Sequence, residues 1–92
     1  MAKFLMLGKY SQEAIRGATA ERTKKVKEAI QKSSGKVEAM YALLGSYDLA
    51  FVVDFPGITE ALRASVVLTK LTGIGFTTSA AISVDEFDGL VA

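Results

Sequence analysis

The sequence predicts an α+β fold in which a four-stranded antiparallel sheet has two main helices on one face, in the order β-α-β-β-α-β. Two segments have apolar residues at helical spacing, and four shorter segments are typical of strands. Glycines, or the Pro56-Gly57 pair, stand at the boundaries between these segments. The 92 residues contain no repeat, linker or low-complexity stretch, so we expect one domain over residues 1–92.

The first half of the chain is predicted to form a strand, a short helix and a long helix. Ser11 can cap the short helix and Gly17 can close it, whereas Thr19 can cap the long helix and Gly35 can end it. The predicted elements are a strand at Lys3–Tyr10, a helical turn that ends at Arg16 and a helix at Ala20–Ser34.

The second half is predicted to form a β-hairpin, a helix and a last strand. The predicted elements are strands at Lys36–Leu44 and Asp48–Phe55, a helix at Ile58–Thr72 and a strand at Phe76–Val84. Gly73 and Gly75 follow the helix and stop it. The acidic segment Asp85–Ala92 is expected to be irregular or frayed.

The two hairpin strands are apolar on both faces, whereas a strand with one wet face has a polar residue at every second position. The first of them has these two sets: Val37, Ala39, Tyr41 and Leu43 on one face, and Met40, Ala42 and Leu44 on the other. Two helices can cover only one face of the ferredoxin-like sheet. We therefore expect the sheet of a second chain on the other face, in a dimeric α/β-barrel assembly that forms a homodimer or a larger ring.

Missing residue types exclude several kinds of catalytic and metal site. The chain has no His and no Cys. A Ser-His-Asp triad, a thiolate nucleophile and a zinc site built on His or Cys are therefore excluded within this chain. We expect no catalytic residue set, no metal and no cofactor, and the commonest general base near neutral pH is unavailable.

Neither a membrane segment nor an export signal is predicted. The longest apolar run is far shorter than the ~20 residues that a membrane-spanning helix needs. The first ten residues have no signal-peptide core and are followed by no cleavage site. Because cysteine is also absent, we expect a cytoplasmic protein that has no membrane partner.

Positive charge is concentrated in the first part of the chain. Residues 1–36 contain nine of the eleven Lys and Arg residues and three acidic residues. On the predicted long helix, Lys24 and Lys32 lie opposite the apolar side, Glu21 and Glu28 are interspersed, and no aromatic residue accompanies the lysines. This pattern favours a solvated helix face over a nucleic-acid surface, so no nucleic-acid partner is expected.

A Gly-x-Tyr-Asp motif lies at the tip of the predicted hairpin. Gly45 can supply the positive φ that hairpin tips often need. Tyr47 and Asp48 can then face one small molecule, with the phenol stacking or donating and the carboxylate accepting. The alternative is structural: Asp48 accepts hydrogen bonds from turn amides, and Tyr47 packs against a partner subunit.

Three further residues are candidates for the same ligand site. Arg22 lies at the edge of the apolar side of its helix, where it can hold an anionic group, or can lay its stem along the core. Tyr10 and Tyr41 are expected on inner strand faces, where they either line a cavity or belong to the core. With Tyr47 and Asp48, these residues are the predicted ligand-binding set.

Along nearly its whole length the sequence resembles the GYD domain family. The turn formed by Gly45, Tyr47 and Asp48 corresponds to the motif for which the family is named. Gly57 stands where the family commonly has an acidic residue that opens the second helix. The resemblance implies the dimeric α/β-barrel architecture and little about function. The resembling segments are LGKYSQEAIRG, TAERTKKVKEA, SGKVEAMYALLGSYDLAFVVDFPG and TSAAISVDEF.

A looser resemblance connects the chain to the ligand-sensing domain of the leucine-responsive regulators. That domain has the same element order and a Gly-x-Tyr-Asp turn after its second strand. The resemblance implies effector binding between subunits near the turn. No helix-turn-helix segment precedes the first strand here, so the chain would be a sensor that does not itself contact DNA.

These observations together predict a homo-oligomeric module that binds a small molecule between subunits. One alternative is a cofactor-independent enzyme of the isomerase or monooxygenase type, in which Tyr47 or Tyr10 would transfer protons with Asp48. The other alternative is a purely structural assembly domain. A shared fold and a short motif do not distinguish among the three.

Overall fold

A computed structural model describes residues 1–92 of the chain as one antiparallel sheet with helices packed on one face. The sheet order is β2-β3-β1-β4, and every neighbouring pair of strands is antiparallel. This is the ferredoxin-like α+β arrangement that the sequence predicts. The elements are β1 (Ala2–Lys9), α1 (Gln12–Arg16), α2 (Ala20–Lys32), β2 (Lys36–Ala42), β3 (Leu49–Phe55), α3 (Ile58–Thr72), β4 (Gly75–Ala81) and α4 (Val84–Val91).

The central strand β1 shows how the two faces of the sheet differ. Met6 pairs with Phe51 on one side and with Thr78 on the other, whereas the preceding residue, Leu5, pairs with Val52. Met6 and Phe51 are buried beneath the helices. Leu5 and Val52 lie on the opposite face and are half-buried. Apolar side chains therefore occupy both faces of the sheet, as predicted.

A core between the sheet and the two main helices holds the domain together. Phe4 of β1 and Phe55 of β3 pack edge to face, with their ring centroids 5.7 Å apart. Ser65 of α3 and Thr78 of β4 share a hydrogen bond of 2.6 Å beside this core. Helices α2 and α3 thus close one face. The buried cluster comprises Phe4, Met6, Val26, Ile30, Phe51, Val53, Phe55, Ala61, Ala64 and Leu68.

No helix covers the other face of the sheet, which we call the open face. Its centre consists of the apolar residues Leu5, Leu7, Ala50 and Val52, all half-buried. Tyr41 of the edge strand pairs with Ala50 and is 59% exposed. The open face is therefore an apolar surface that a single chain leaves uncovered.

Several elements end earlier than the sequence predicts. Strand β2 stops at Ala42 because the Leu43 amide donates to the Asp48 carbonyl at 2.8 Å and closes the hairpin, which leaves Leu44 in an exposed loop. Helix α2 ends at Lys32, and Ser34 has a φ of 63°. A residue in that conformation cannot continue a right-handed helix.

The prediction that Asp85–Ala92 is irregular is wrong, because residues Val84–Val91 form α4. The Ser83 side chain accepts a hydrogen bond from the Glu86 amide, which caps the helix. Asp85 and Glu86 stand in the first turn, where negative charge stabilises a helix. Strand β4 ends at Ala81 instead of the predicted Val84, because Ser83 caps the helix that begins at Val84.

Helix α4 extends from the body of the domain. None of its residues is buried, and its apolar residues Val84, Phe87, Leu90 and Val91 are all exposed. The Cα radius of gyration is 13.7 Å, against about 12 Å for a compact chain of this length. No helix in the structure has the length and hydropathy of a membrane-spanning segment.

Candidate ligand-binding site

One cavity lies between the N-terminal part of α2 and the end of the sheet where β1 finishes and β3 begins. It has a volume of about 210 Å³. Its floor is formed by Val26, Phe51 and Ile74, each at most 4% exposed, and Arg22 lies at its edge. The cavity is therefore apolar at the bottom, with one cationic group above. The lining residues are Tyr10, Arg22, Thr23, Val26, Met40, Tyr41, Ala42, Leu49, Phe51 and Ile74.

The Arg22 guanidinium lies over the Tyr10 ring. The central carbon of the guanidinium lies 5.8 Å from the ring centroid, within the range of cation–π attraction. One terminal nitrogen, Nη1, donates to the Ala14 carbonyl of α1. At the backbone, the Arg22 amide donates to the Thr19 hydroxyl at 3.0 Å, which caps α2. These contacts hold the backbone of Arg22 and its guanidinium in place.

Gly17 makes room for this guanidinium. A Cβ atom at Gly17 would lie 2.7 Å from Arg22 Nη1, closer than non-bonded atoms approach. The φ of Gly17 is −87°, which any residue can adopt. The absence of a side chain, rather than backbone freedom, is therefore what the site needs here. From the sequence alone, Gly17 was expected only to close α1.

Asp48 lies outside the cavity lining and holds Tyr10 in place. Its Oδ2 atom accepts a hydrogen bond of 2.8 Å from the Tyr10 amide. The Asp48 amide donates to the Gly8 carbonyl, also at 2.8 Å. The motif thus ties the β2–β3 hairpin to the end of β1, beside the residue whose ring lies beneath the Arg22 guanidinium.

The other two motif residues are also outside the lining. Gly45 has a φ of 145°, and no atom lies within 4 Å of where its Cβ would be. Only the backbone conformation therefore favours glycine at this position. Tyr47 is half-buried in the same loop.

The structure thus places three of the five predicted ligand-binding residues in the lining of one cavity: Tyr10, Arg22 and Tyr41. The expectation of an inner face is wrong for Tyr41, which pairs with Ala50 of the open face and is 59% exposed, so it belongs to the rim of the cavity. Sequence reasoning missed other lining residues, among them Met40 and Ile74. Ile74 is a single apolar residue between two glycines, and that pattern was available in the sequence. Met40 could not be distinguished from a core residue, because it lies in a strand that is apolar at almost every position.

A second cluster of charged residues lies at the opposite end of the sheet. The Lys3 ammonium contacts the Glu38 carboxylate and lies 3.3 Å from Asp54 Oδ1. The bond to Glu38 is the main cause that raises the pKa of Lys3. A hydrogen bond shared with Glu38, followed by the bond to Lys3, lowers the pKa of Asp54. No group of three or more His, Cys, Asp and Glu side chains is placed to hold a metal ion.

The fold is similar to that of a regulatory protein of known structure. A crystal structure of the Mycobacterium tuberculosis leucine response regulatory protein, LrpA, superposes with a TM-score of 0.59 at 6% sequence identity. The match covers 89% of this chain and 51% of that one, so the chain spans about half the length of the regulator. At this identity the likeness concerns the fold alone. No curated protein matches the chain.

The sequence itself matches a family over nearly its full length. The model of the GYD domain covers residues 4–91, from the first strand to the end of α4. The match includes Gly45, Tyr47 and Asp48, which the structure places in the turn that anchors Tyr10. The chain belongs to the GYD domain family.

Proposed function

We propose that the chain is a self-associating module that binds a small molecule in the cavity lined by Tyr10, Arg22 and Tyr41. The observation that supports this proposal best is the cavity itself, in which an apolar floor lies beneath a single held cation. Small-molecule sites in proteins are mostly apolar and have a few polar groups that orient the ligand. Val26, Phe51 and Ile74 would contact the ligand body, and Arg22 would orient it.

Self-association is supported by the apolar surfaces that one chain leaves uncovered. The open face presents Leu5, Leu7 and Val52 without a covering layer. The outward side of α3 exposes Leu62 and Val66, and α4 exposes a further apolar stripe. Contiguous apolar surfaces of this kind mark interfaces between proteins more often than free surfaces. A second copy of the chain is the occupant that we propose for the open face.

The same arrangement supports a ligand site that a partner subunit completes. Tyr41 and Ala42 belong to the edge strand β2 and line the mouth of the cavity, and both are exposed. The chain continues directly into the exposed Leu43 and Leu44. A partner that packs against this hairpin would cover the mouth and exclude water from the ligand.

Asp48 has a positioning role in this proposal. Its carboxylate accepts from the Tyr10 amide and does not line the cavity, so it would act on the ligand only through Tyr10. The enzyme alternative required Asp48 to exchange protons at the ligand. Because no carboxylate lines the cavity, the geometry favours binding over that chemistry.

A screen against a blocked cavity tests the proposal. Small molecules of neutral, cationic and anionic character are screened by ligand-observed NMR against the wild type and an Ala42→Trp variant. Ala42 is exposed at the mouth, so the indole should fill the cavity without disturbing the core. Gln31→Trp, on the exposed side of α2 and outside the cavity lining, is the matched control.

We expect hits for the wild type and for Gln31→Trp that disappear for Ala42→Trp. Light scattering at micromolar concentration should show at least a dimer in the same samples. The binding proposal fails if no compound of any charge binds, or if the hits are unaffected by Ala42→Trp.

A further inference from the structure

We propose that the ligand of this cavity is a small carboxylate with an apolar body, held through the Arg22 guanidinium. The inference rests on the proposed binding function and names the chemical class of the ligand. It is drawn from the charge around Arg22, the volume of the cavity and the composition of its lining.

Arg22 forms no ion pair within the chain. Every ion pair in the structure involves Lys3, at the other end of the sheet, so no carboxylate lies within 4 Å of the Arg22 guanidinium. None of the ten residues that line the cavity is acidic. A guanidinium has five N–H donors, and a single one is used by the Ala14 carbonyl. The free donors suit the two oxygens of a carboxylate, which arginine binds in a bidentate manner.

The floor of the cavity requires an apolar body. Val26, Phe51 and Ile74 offer no polar side-chain group to a ligand. A dry apolar cavity of about 150 Å³ is large enough to bind benzene. The cavity here has a volume of about 210 Å³, so a ring or a branched chain fits together with a carboxylate.

The lining also argues against a free amino acid as the ligand. The ammonium group of an amino acid needs a negative or strongly accepting partner when it leaves water. The only oxygen acceptors among the lining side chains are the hydroxyls of Tyr10 and Thr23 and that of the exposed edge residue Tyr41, and none is a carboxylate. A carboxylic acid without the amino group avoids this cost, so it should bind better than the amino acid of the same shape.

Arg22 is held in place before any ligand arrives. Its backbone is fixed by the Thr19 cap, and its guanidinium by the Ala14 carbonyl and the Tyr10 ring. Gly17 leaves the space that this position needs. A group that is already ordered loses little conformational entropy on binding, which increases affinity.

The test compares three probes that have the same phenylpropyl body. Calorimetric titration of the wild type with 3-phenylpropanoate, 3-phenylpropanamide and phenylalanine separates the carboxylate from the body and from the ammonium group. We expect 3-phenylpropanoate to bind at least about tenfold more tightly than either of the other two, as expected for a bidentate charged hydrogen bond.

Variants of Arg22 and Gly17 test whether the difference in affinity between the acid and the amide depends on the Arg22 guanidinium. Arg22→Met should reduce the affinity for 3-phenylpropanoate to that for the amide, and Arg22→Lys should restore only part of it. Gly17→Ala replaces none of the lining residues but displaces the Arg22 guanidinium, so it should also lower carboxylate affinity while amide affinity stays the same. This second variant keeps the test valid if Arg22→Met fails to fold.

The outcomes separate the ligand class from the binding function. Equal affinities for acid and amide would overturn the ligand class, and a carboxylate preference that survives both Arg22→Met and Gly17→Ala would overturn the role given to Arg22. If neutral or cationic compounds bind in a manner that Ala42→Trp abolishes while 3-phenylpropanoate does not bind, the binding function stands and the carboxylate proposal fails. If nothing binds, both fail.

Discussion

The Asp48 carboxylate accepts a hydrogen bond of 2.8 Å from the backbone amide of Tyr10, a residue 38 positions earlier in the chain. Together with the bond from the Asp48 amide to the Gly8 carbonyl, it joins the hairpin to the last residues of β1. The aspartate of the Gly-x-Tyr-Asp motif therefore acts on the cavity through the position of Tyr10, whose ring supports Arg22.

Replacement of Asp48 should therefore destabilise the protein. Asp48→Ala leaves the half-buried Tyr10 amide without its acceptor, at a cost of about 1–3 kcal/mol of unfolding free energy. Asp48→Asn keeps an oxygen acceptor and should lose less. Chemical denaturation measures both, and Asp88→Ala, an exposed change in α4, is the control. If Asp48→Ala unfolds at the wild-type denaturant concentration, the anchoring role assigned to Asp48 is wrong.

Gly45 should be required for the shape of the hairpin tip. At a φ of 145° a Cβ is strained, so Gly45→Ala should lower the unfolding free energy by about 1–2 kcal/mol. Gly75→Ala is a matched control, because Gly75 also has open space around it but has no positive φ. Thermal melts of the two variants give the comparison. Equal melting temperatures for both would contradict the strain argument.

The open face should be the surface that assembles. Val52→Lys or Ala50→Lys places a charge in the proposed dry interface, which costs several kcal/mol when the charge has no partner. Light scattering at micromolar concentration should show that these variants dissociate or unfold. Gln31→Lys, on the exposed side of α2, should keep the wild-type mass. A wild type that is a clean, stable monomer would rule out self-association.

Two phenylalanines should differ sharply in their contribution to folding. Phe51 is 3% exposed and belongs to the core, so Phe51→Ala should cost about 3–5 kcal/mol of unfolding free energy. Phe87 of α4 is 52% exposed, so within one chain Phe87→Ala should change stability by no more than about 0.5 kcal/mol. The unfolding free energies are measured by denaturation at the lowest usable protein concentration, because self-association is then weakest. A large loss for Phe87→Ala under those conditions would show that α4 packs on its own domain.

The cluster of Lys3, Glu38 and Asp54 predicts a dependence of stability on pH. The bonds to Glu38 and Lys3 lower the pKa of Asp54 from its ordinary value of 3.8. At pH values between the lowered native pKa and 3.8, the Asp54 carboxyl group therefore binds more protons in the unfolded chain than in the native one. The stabilisation is therefore present above pH 3.8 and is lost as the pH falls through the lower native pKa. The raised pKa of Lys3 affects stability at alkaline pH. The stabilisation is present below pH 10.5 and is lost as the pH rises through the raised pKa of the native state.

Asp54→Asn should remove the acid part of this dependence. The difference in Tm between the wild type and Asp54→Asn should be largest near neutral pH and should shrink as the pH falls well below 3.8. Thermal melts over a pH series measure it. A difference in Tm that stays constant through the acid range would show that the Asp54 carboxylate contributes nothing through its charge.

Most elements of the fold could be predicted from the sequence, because short-range signals such as helix caps specify them. Ser11 and Thr19 cap their helices as expected, and α3 spans the predicted residues Ile58–Thr72. These signals depend on residues within a few positions of each other, so they can be recognised without knowledge of the fold. The cap of α4 is equally local, since Ser83 stands three residues before Glu86, so the sequence contains the signal for this helix as well.

The sequence alone also established that both faces of the sheet are apolar. Successive side chains of a strand point to opposite faces, so a strand that is apolar at successive positions is apolar on both. It identified Tyr10, Arg22 and Tyr41 as candidates but could not show that they meet. Their meeting depends on the strand order β2-β3-β1-β4, on the turn through α1 and on the space left by Gly17. Only the tertiary structure decided that Asp48 supports the cavity instead of lining it, because the contact between Asp48 and Tyr10 joins segments far apart in the chain, and no local pattern specifies such a contact.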